Sequence, residues 1–459
     1  MLFLRADLVQ LALLVFVAFA GFYYIVTSDL AAFAKGMAAV LLLLLSGIAI
    51  RTLAKADGWN GFVMVKTKEG IKIVELMKRL LGKYWNTLTD IGLVTSFGLS
   101  SIFAFKHLKP KTIAAAMLVL AAFVFLVMPF ISVIALTLID LPKGDAVNGG
   151  ADSAFIALGI VAAFGFVGMI IYSLLFKAVS VIFSVIAFLF GNTTVLAGTT
   201  PGVQLIIPGL TLPLIEGIVA LLVLLIVHEG GHGVSAMLSK VRIKSTGFLT
   251  FGVIPVGAFV DIDEKQLNKK KDADKLRVAV AGSTGNLLAA FIFFIPTVAI
   301  LMMPGLYSNE LAVVGFTRNV TAVGVPLSVD TRIYYVNNLE IRSYEDFAAA
   351  KRSIKPDSDV ILYTNKGGAL VQADSNGSMG LQLSQPIKNE FLWVKPIYNV
   401  LGLITVLNFF VGIINLLPVA AFDGYRLFDV GIKDKVVLRF ISYAVMAAFA
   451  INILPWLWH

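Results

Sequence analysis

Long apolar runs separated by short polar ones dominate this chain. They lie near residues 8–26, 31–50, 91–105, 113–139, 154–176, 178–190, 214–236, 278–303, 396–417 and 436–457. Most approach or exceed the roughly 20 residues that a helix needs to cross the hydrocarbon core of a bilayer. The runs at 91–105 and 178–190 are short, so each is expected to be re-entrant or to lie at the surface. The first run is long and lacks an obvious small-residue cleavage site, which predicts a retained span rather than a signal peptide. Barrel-type alternation is absent. The pattern predicts an α-helical polytopic membrane protein.

One region differs in kind. From about 310 to 386 the apolar density falls. "RIYYVNNLEI", from Arg332, alternates as strand–turn–strand, with Asn337 and Asn338 suited to positive φ. "YEDFAAAKRSI", from Tyr344, has the spacing of a short amphipathic helix, and "DVILYTN", from Asp359, reads as a strand before a "KGG" turn. A small α+β module between two membrane spans is expected.

Composition agrees with a membrane protein. The chain of 459 residues is 58% hydrophobic and 14% charged, with mean hydropathy +0.89. It has no cysteine, which excludes disulfides and thiolate metal sites. The 37 Lys and Arg outnumber 28 Asp and Glu, and the excess sits in loops. In a membrane protein such a bias speaks to orientation and not to nucleic acid. Basic stretches run from Arg51 to Lys83, through "KHLKPK" from Lys106, and through "EKQLNKKKDADKLR" from Glu264. The loop "DLPKGDAVNGGADS" from Asp140 is acidic and Gly-rich. The positive-inside rule puts the basic loops in the cytoplasm and the acidic loop outside. Because both flanks of 91–105 are basic, that run is expected not to span.

The chemistry concentrates at the end of "LLVLLIVHEGGHGVSAM", Leu221 to Met237. His228 and His232 are four apart, so a helix places both rings on one face, able to share one metal ion. Glu229 projects near the same ion without being needed as a ligand. Zinc lowers the pKa of a bound water, and Glu229 would take that proton and deliver it to the leaving amine. The motif is short and arises by chance in soluble helices, but ionisable residues within a membrane span are functional by default.

Catalytic zinc ordinarily has a third protein ligand. Of the other two histidines, His107 lies in a basic loop and His459 is the last residue. A carboxylate is the better candidate. "GIINLLPVAAFDGYRLF" offers Asp423 at the far end of the run 396–417, where Asp-Gly could also be a simple helix terminus. If the loop after His232 is cytoplasmic, span 214–236 runs inward, span 278–303 returns outward, the α+β module is extracytoplasmic, and span 396–417 runs inward again. The HExxH end and Asp423 then both lie near the cytoplasmic side.

At these residues the chain resembles the site-2 protease family of intramembrane zinc metalloproteases. The family pattern of HExxH followed by N-x-x-P…D-G appears as "HEGGH", His228 to His232, and "NLLPVAAFDG", Asn415 to Gly424. Further matches are "PGVQLIIPGLTLPLIEG" before the HExxH span, "GFLTFGVIPVGAFVDIDE" after it, and "LRVAVAGSTGN" opening the next span. Together they cover roughly residues 200–305 and 396–430. Residues 1–190 resemble the added N-terminal spans of some prokaryotic members only loosely. The chain departs from the pattern with "VAAF" before its D-G, Tyr425 after it, and Ser283 where proline is usual. These touch loop geometry and substrate fit more than the reaction.

The resemblance implies zinc on His228, His232 and Asp423, with Glu229 as general base. It implies that Asn415 bonds the unwound substrate backbone or the developing oxyanion. "GAFV", Gly257 to Val260, would be an edge strand to which an extended substrate adds, or a re-entrant hairpin that only shields the zinc. Gly230, Gly231 and Gly233 would permit close helix approach or pack passively. The inserted module resembles a PDZ domain that binds a substrate tail or restricts large ectodomains. The implied organisation is an N-terminal transmembrane region at 1–190, a first half of the membrane core at 191–306, a PDZ-like extracytoplasmic domain at 307–387 and a second half of the core at 388–459.

The implied activity is intramembrane endopeptidase cleavage, in or near transmembrane segments of membrane-protein substrates in the lipid bilayer, as in regulated intramembrane proteolysis. No nucleic-acid partner is expected. A protease whose third ligand is Glu is disfavoured, because no downstream Glu lies in a matching helix. A non-catalytic scaffold or chaperone that binds protein tails through the module has no chemical use for His228, Glu229, His232 and Asp423 together.

Overall fold

A computed structural model describes the chain except residues 1, 30–31, 140–150, 193–194, 197, 205, 309, 317–319, 321, 376 and 459. The acidic loop from Asp140 therefore falls largely outside the described residues, and His459 wholly so. The chain forms two compact units, residues 1–297 with 399–459, and residues 298–398.

The first unit opens with helices α1 (Leu2–Thr27) and α2 (Ala32–Ala54), strands β1 (Asp57–Trp59) and β2 (Phe62–Thr67), and the long helix α3 (Glu69–Phe97). The short α4 (Ser101–Ala104) follows. Then α5 (Pro110–Ala122) and α6 (Met128–Leu138) are joined by a π-helical turn at Phe123–Val127, ahead of α7 (Ala151–Leu189). Next come α8 (Leu214–Leu238), the hairpin β3 (Ile243–Phe251) and β4 (Ile254–Ile262), the short α9 (Glu264–Asn268) and α10 (Asp272–Leu301). Helices α12 (Val394–Ile414), α13 (Asp423–Gly431) and α14 (Lys435–Ile453) complete the unit's elements; α11 belongs to the second unit. Among the described residues nine helical segments are long and apolar enough to cross a membrane. The protein is a polytopic helical membrane protein.

Two of the expected segments are corrected. The run at 91–105 is not a separate surface or re-entrant piece: α3 starts at Glu69, and the candidate span covers Glu69–Ala104. Lys72, Lys78, Arg79 and Lys83 interrupt its hydropathy, yet Val74, Trp85, Thr89 and Leu93 recur at helical spacing and are buried on one face. The run at 178–190 is likewise the second half of α7, separated from 154–176 only by Lys177. The real break in α7 is at Gly165, with φ 64° and ψ −159°. Gly98, just past α3, also has positive φ, and a Cβ there would stand 2.6 Å from the Gly165 nitrogen. Glycine is needed at both, because the two irregular backbones touch and L side chains rarely adopt such φ.

Helix α8 is held between neighbours at close range. A Cβ on Gly231 would lie 2.5 Å from the Ala281 carbonyl oxygen of α10. On the α3 side, a Cβ on Gly233 would lie 2.7 Å from Val74, whereas Gly230 faces only the flexible end of the Met77 side chain. Gly231 and Gly233 therefore permit close helix approach. The fully buried Trp85 of α3 donates its Nε1–H to Ser235 Oγ of α8 at 2.8 Å. Arg277 of α10 grips Asp90 of α3 through two bonds, Nε to Oδ1 at 2.8 Å and Nη2 to Oδ2 at 2.7 Å.

The hairpin after α8 is not alone. Strands β1 to β4 form one antiparallel sheet in that order, and β2 pairs β3 from Phe62 opposite Phe251 to Thr67 opposite Thr246. Segment 57–67 thus contributes to the same sheet as the strands beside the HExxH helix. Strand β4 is the other edge, with Val256 bulged between Gly257 and Pro255.

The second unit contains β5 (Leu311–Phe316), β6 (Ala322–Gly324), β7 (Arg332–Val336), β8 (Leu339–Glu340), α11 (Tyr344–Ser353), β9 (Asp359–Thr364), β10 (Gly367–Gln372) and β11 (Leu381–Ser384). The strands form an antiparallel sheet in the order β11-β5-β7-β9-β10-β6, with β8 pairing β7. Leu311, Val313, Ile333, Val360, Leu362 and Val371 pack with Ala350 of α11 into its core. Ser343 caps α11 by accepting the Asp346 N–H. The expected α+β module is present, and Asn337 takes the positive φ read for its turn.

Candidate active site

Helix α8 is apolar around most of its circumference until His228. Its i, i+4 geometry stacks the two rings, with centroids 4.9 Å apart and Nε2 atoms 3.3 Å apart. Both histidines are only 8% exposed. Asp423, at the first turn of α13, brings Oδ2 to 3.0 Å from each Nε2. It reaches them because the chain turns sharply after α12. The Gly424 N–H donates to the Asn415 carbonyl at 2.8 Å. A Cβ on Gly424 would sit 2.1 Å from the Leu416 carbonyl oxygen, so only glycine fits beside this aspartate.

These three side chains are the group of described residues able to hold a metal ion. His232 Nδ1 lies 2.7 Å from the Val278 carbonyl of α10. That carbonyl can only accept, so Nδ1 carries the proton and the Nε2 of a neutral ring presents its lone pair. A carboxylate oxygen and two imidazole nitrogens converging at 3.0–3.3 Å need a positive charge among them, a proton or a metal cation. Two imidazoles and one carboxylate are a donor set that divalent metals take. Gly282 of α10 leaves the space open: a Cβ there would meet His232 Nε2 at 2.5 Å and His228 Nε2 at 2.6 Å.

Glu229 is tied to the neighbouring hairpin. Its Oε2 accepts the Val260 N–H of β4 at 2.8 Å. It lines, with His228 and Asp423, a cavity of about 690 Å³. The other walls come from α8 (Leu221, Leu224, Leu225), from residues 254–258 of β4, and from Val411, Asn415 and Phe422. Phe22 of α1 and Ala39, Val40 and Leu43 of α2 close it from another side. The cavity lining is thus mostly apolar, with His228, Glu229, Asn415 and Asp423 as its polar part. By the two-residue repeat of a strand, the Ala258 backbone faces the same free edge as the Val260 N–H.

The structure therefore brings His228, Glu229, His232, Asn415 and Asp423 to one place. His107 is elsewhere, 3.4 Å from Asp90. Sequence reasoning missed Asn286 of α10, whose Nδ2 lies 3.1 Å from His228 Nδ1. It also missed the cavity wall formed by α1 and α2. The signal for Asn286 was present, since a fully buried amide in an apolar span is costly unless it has a task. No local pattern marks the α1 and α2 residues, because apolar side chains facing a cavity look like those facing lipid or core.

Comparison with known proteins adds two findings. The model of peptidase family M50 matches residues 216–455. An uncharacterized protein of Methanocaldococcus jannaschii is 31% identical over 226 residues, which are 48% of this chain and 58% of that protein. The match thus spans little more than half the length of that relative.

Proposed function

This chain belongs to peptidase family M50, and from that premise we propose that it is an intramembrane zinc endopeptidase acting in or near transmembrane segments of membrane-protein substrates. A membrane metalloprotease follows from the family and the apolar helices. One observation carries the finer reading: the His228, His232 and Asp423 set lies at a mostly apolar cavity beside a free strand edge.

Zinc fits the donor set. Two nitrogens each about 2.05 Å from one tetrahedral zinc stand about 3.3 Å apart, which is the separation of the two Nε2 atoms. His228, His232 and Asp423 would hold the ion. When bound, zinc would supply a Lewis acid and acidify a water.

The protein's own groups do the rest. Glu229 takes a proton from the attacking water and passes it to the departing amine nitrogen. Its bond to Val260 holds its carboxylate in the cavity that His228 and Asp423 also line. A transmembrane helix hides its carbonyls in its own hydrogen bonds, so a substrate must first unwind. The N–H and C=O of Ala258 offer the freed segment a partner on the β4 edge. Asn415, which lines the cavity beside the aspartate loop, would donate its amide N–H to the polarised carbonyl oxygen.

The ligand set lies toward the ends of α8 and α10 joined by the Lys-rich segment 239–272. Positive-inside bias makes that side cytoplasmic. The second unit, inserted after α10, is then extracytoplasmic, and we read it as a PDZ-like module that screens large ectodomains.

The test is reconstitution with a tagged single-span substrate. Glu229→Gln should retain zinc and lose cleavage, and equal cleavage by both proteins would sink the mechanism. Undiminished zinc in Asp423→Ala would remove that residue as a ligand.

A further inference from the structure

Helix α10 supplies three features one turn apart on one face: the Val278 carbonyl, the bare Cα of Gly282, and the Asn286 amide. The first holds His232, the second makes room for both rings, and the third meets His228. Asn286 is fully buried, and its Oδ1 has no hydrogen-bond partner among the described residues. Gly412 of α12 closes on it, since a Cβ there would be 2.9 Å from Asn286 Cβ.

We propose that Asn286 is a positioning residue: with metal bound, its amide oxygen accepts the Nδ1–H of His228 and so fixes the tautomer whose Nε2 is free to bind the ion. This rests on the zinc reading above. The amide has two orientations, related by half a turn about Cβ–Cγ. In one, Nδ2–H donates to Nδ1, the ring proton moves to Nε2, and Nε2 points an N–H at the other ligands. In that orientation Oδ1 is buried without a partner. In the other, Oδ1 takes the place of Nδ2, accepts from Nδ1–H, and leaves Nε2 with its lone pair. Only the second makes His228 a ligand. Together Val278 and Asn286 make α10 the element that sets both tautomers, an outer-shell role that metal-ligating histidines usually require.

The experiment is zinc affinity by chelator competition on the full-length protein in detergent, for wild type, Asn286→Asp and Asn286→Leu. Asp keeps an acceptor at the same place, while Leu keeps the volume and removes it. Leu should weaken zinc about 10- to 100-fold, and Asp should stay within about threefold of wild type. The chain has four histidines, so imidazole ¹⁵N shifts are resolvable. The metal-free wild-type and Asp proteins should show His228 protonated at Nδ1, and the Leu protein a mixture. Wild-type affinity and tautomer in Leu, or equal losses in Leu and Asp, would overturn the proposal. If Leu does not fold, Asn286→Ala carries the same expectation. A wild type that takes up no stoichiometric zinc would instead overturn the zinc reading itself.

Discussion

The most discriminating substitution is Gly282→Ala. The added methyl carbon would lie 2.5 Å from His232 Nε2 and 2.6 Å from both Cε1 and Nε2 of His228. Comfortable non-bonded contact is about 3.5 Å, so the rings must retreat by about 0.9 Å. They have nowhere to go. His232 is pinned by its 2.7 Å bond to Val278, and α8 already touches α10 backbone at Gly231. Metal–ligand distances tolerate about 0.2 Å, so the displacement is several times what the ion accepts. Zinc affinity should fall at least about 100-fold, or about 2.8 kcal/mol at 1.4 kcal/mol per decade.

The same overlap strains the fold by about 1–3 kcal/mol, the usual cost of overpacking, so affinity and stability must be separated. Gly285→Ala does this. Its Cβ would stand 2.9 Å from the Val227 carbonyl oxygen, on the same helix interface but away from the ligand nitrogens. Zinc titration and thermal melting of both variants give the comparison. Similar melting with zinc lost only in Gly282→Ala is the expected result. Zinc affinity in Gly282→Ala within about threefold of wild type would refute the placement of the ion between these rings.

Three further outcomes are expected. Gly424→Ala should lower zinc occupancy and cleavage together, because its Cβ would overlap the Leu416 carbonyl and push Asp423 off the histidines; normal occupancy by elemental analysis would count against it. Trp85→Phe should lower thermal stability by about 1–2 kcal/mol by stranding the buried Ser235 hydroxyl, with zinc binding retained. Asp90→Asn should destabilise by at least about 1 kcal/mol, because it leaves the half-buried Arg277 guanidinium without its carboxylate; adding Arg277→Gln in a double-mutant cycle should restore part of the loss.

Much of the site was legible because its side chains carry their chemistry in their names. Two histidines four apart, a glutamate between them and an aspartate before a glycine could be read directly, whereas the strand edge at Gly257 to Val260 came only with the family resemblance and beside the alternative of a shielding hairpin. The N-terminal region was harder. Lys177 divided one helix into two apolar runs, and four basic residues on the outer face of α3 hid a buried inner face. Segment 57–67 looked like polar loop because a three-residue and a six-residue strand carry too little pattern, and β3, the partner that joins β2 to the sheet, lies about 180 residues away.

What no sequence pattern could supply is the backbone's part in the site. The Val278 carbonyl meets His232 Nδ1, the Val260 N–H donates to Glu229, and the Asn415 carbonyl accepts the Gly424 N–H beside Asp423. Each acts through atoms that any non-proline residue would offer, so side-chain identity does not mark the position. Each contact exists only because α8, β4, α10 and the end of α12 close within hydrogen-bond distance. The glycines at 231, 282 and 424 are the visible trace of that closure, because each stands where a Cβ would strike another backbone or a ligand ring. The site is therefore read best as a packing arrangement with side chains placed in it. On that reading, substitutions at these glycines should impair metal binding as severely as loss of a ligand.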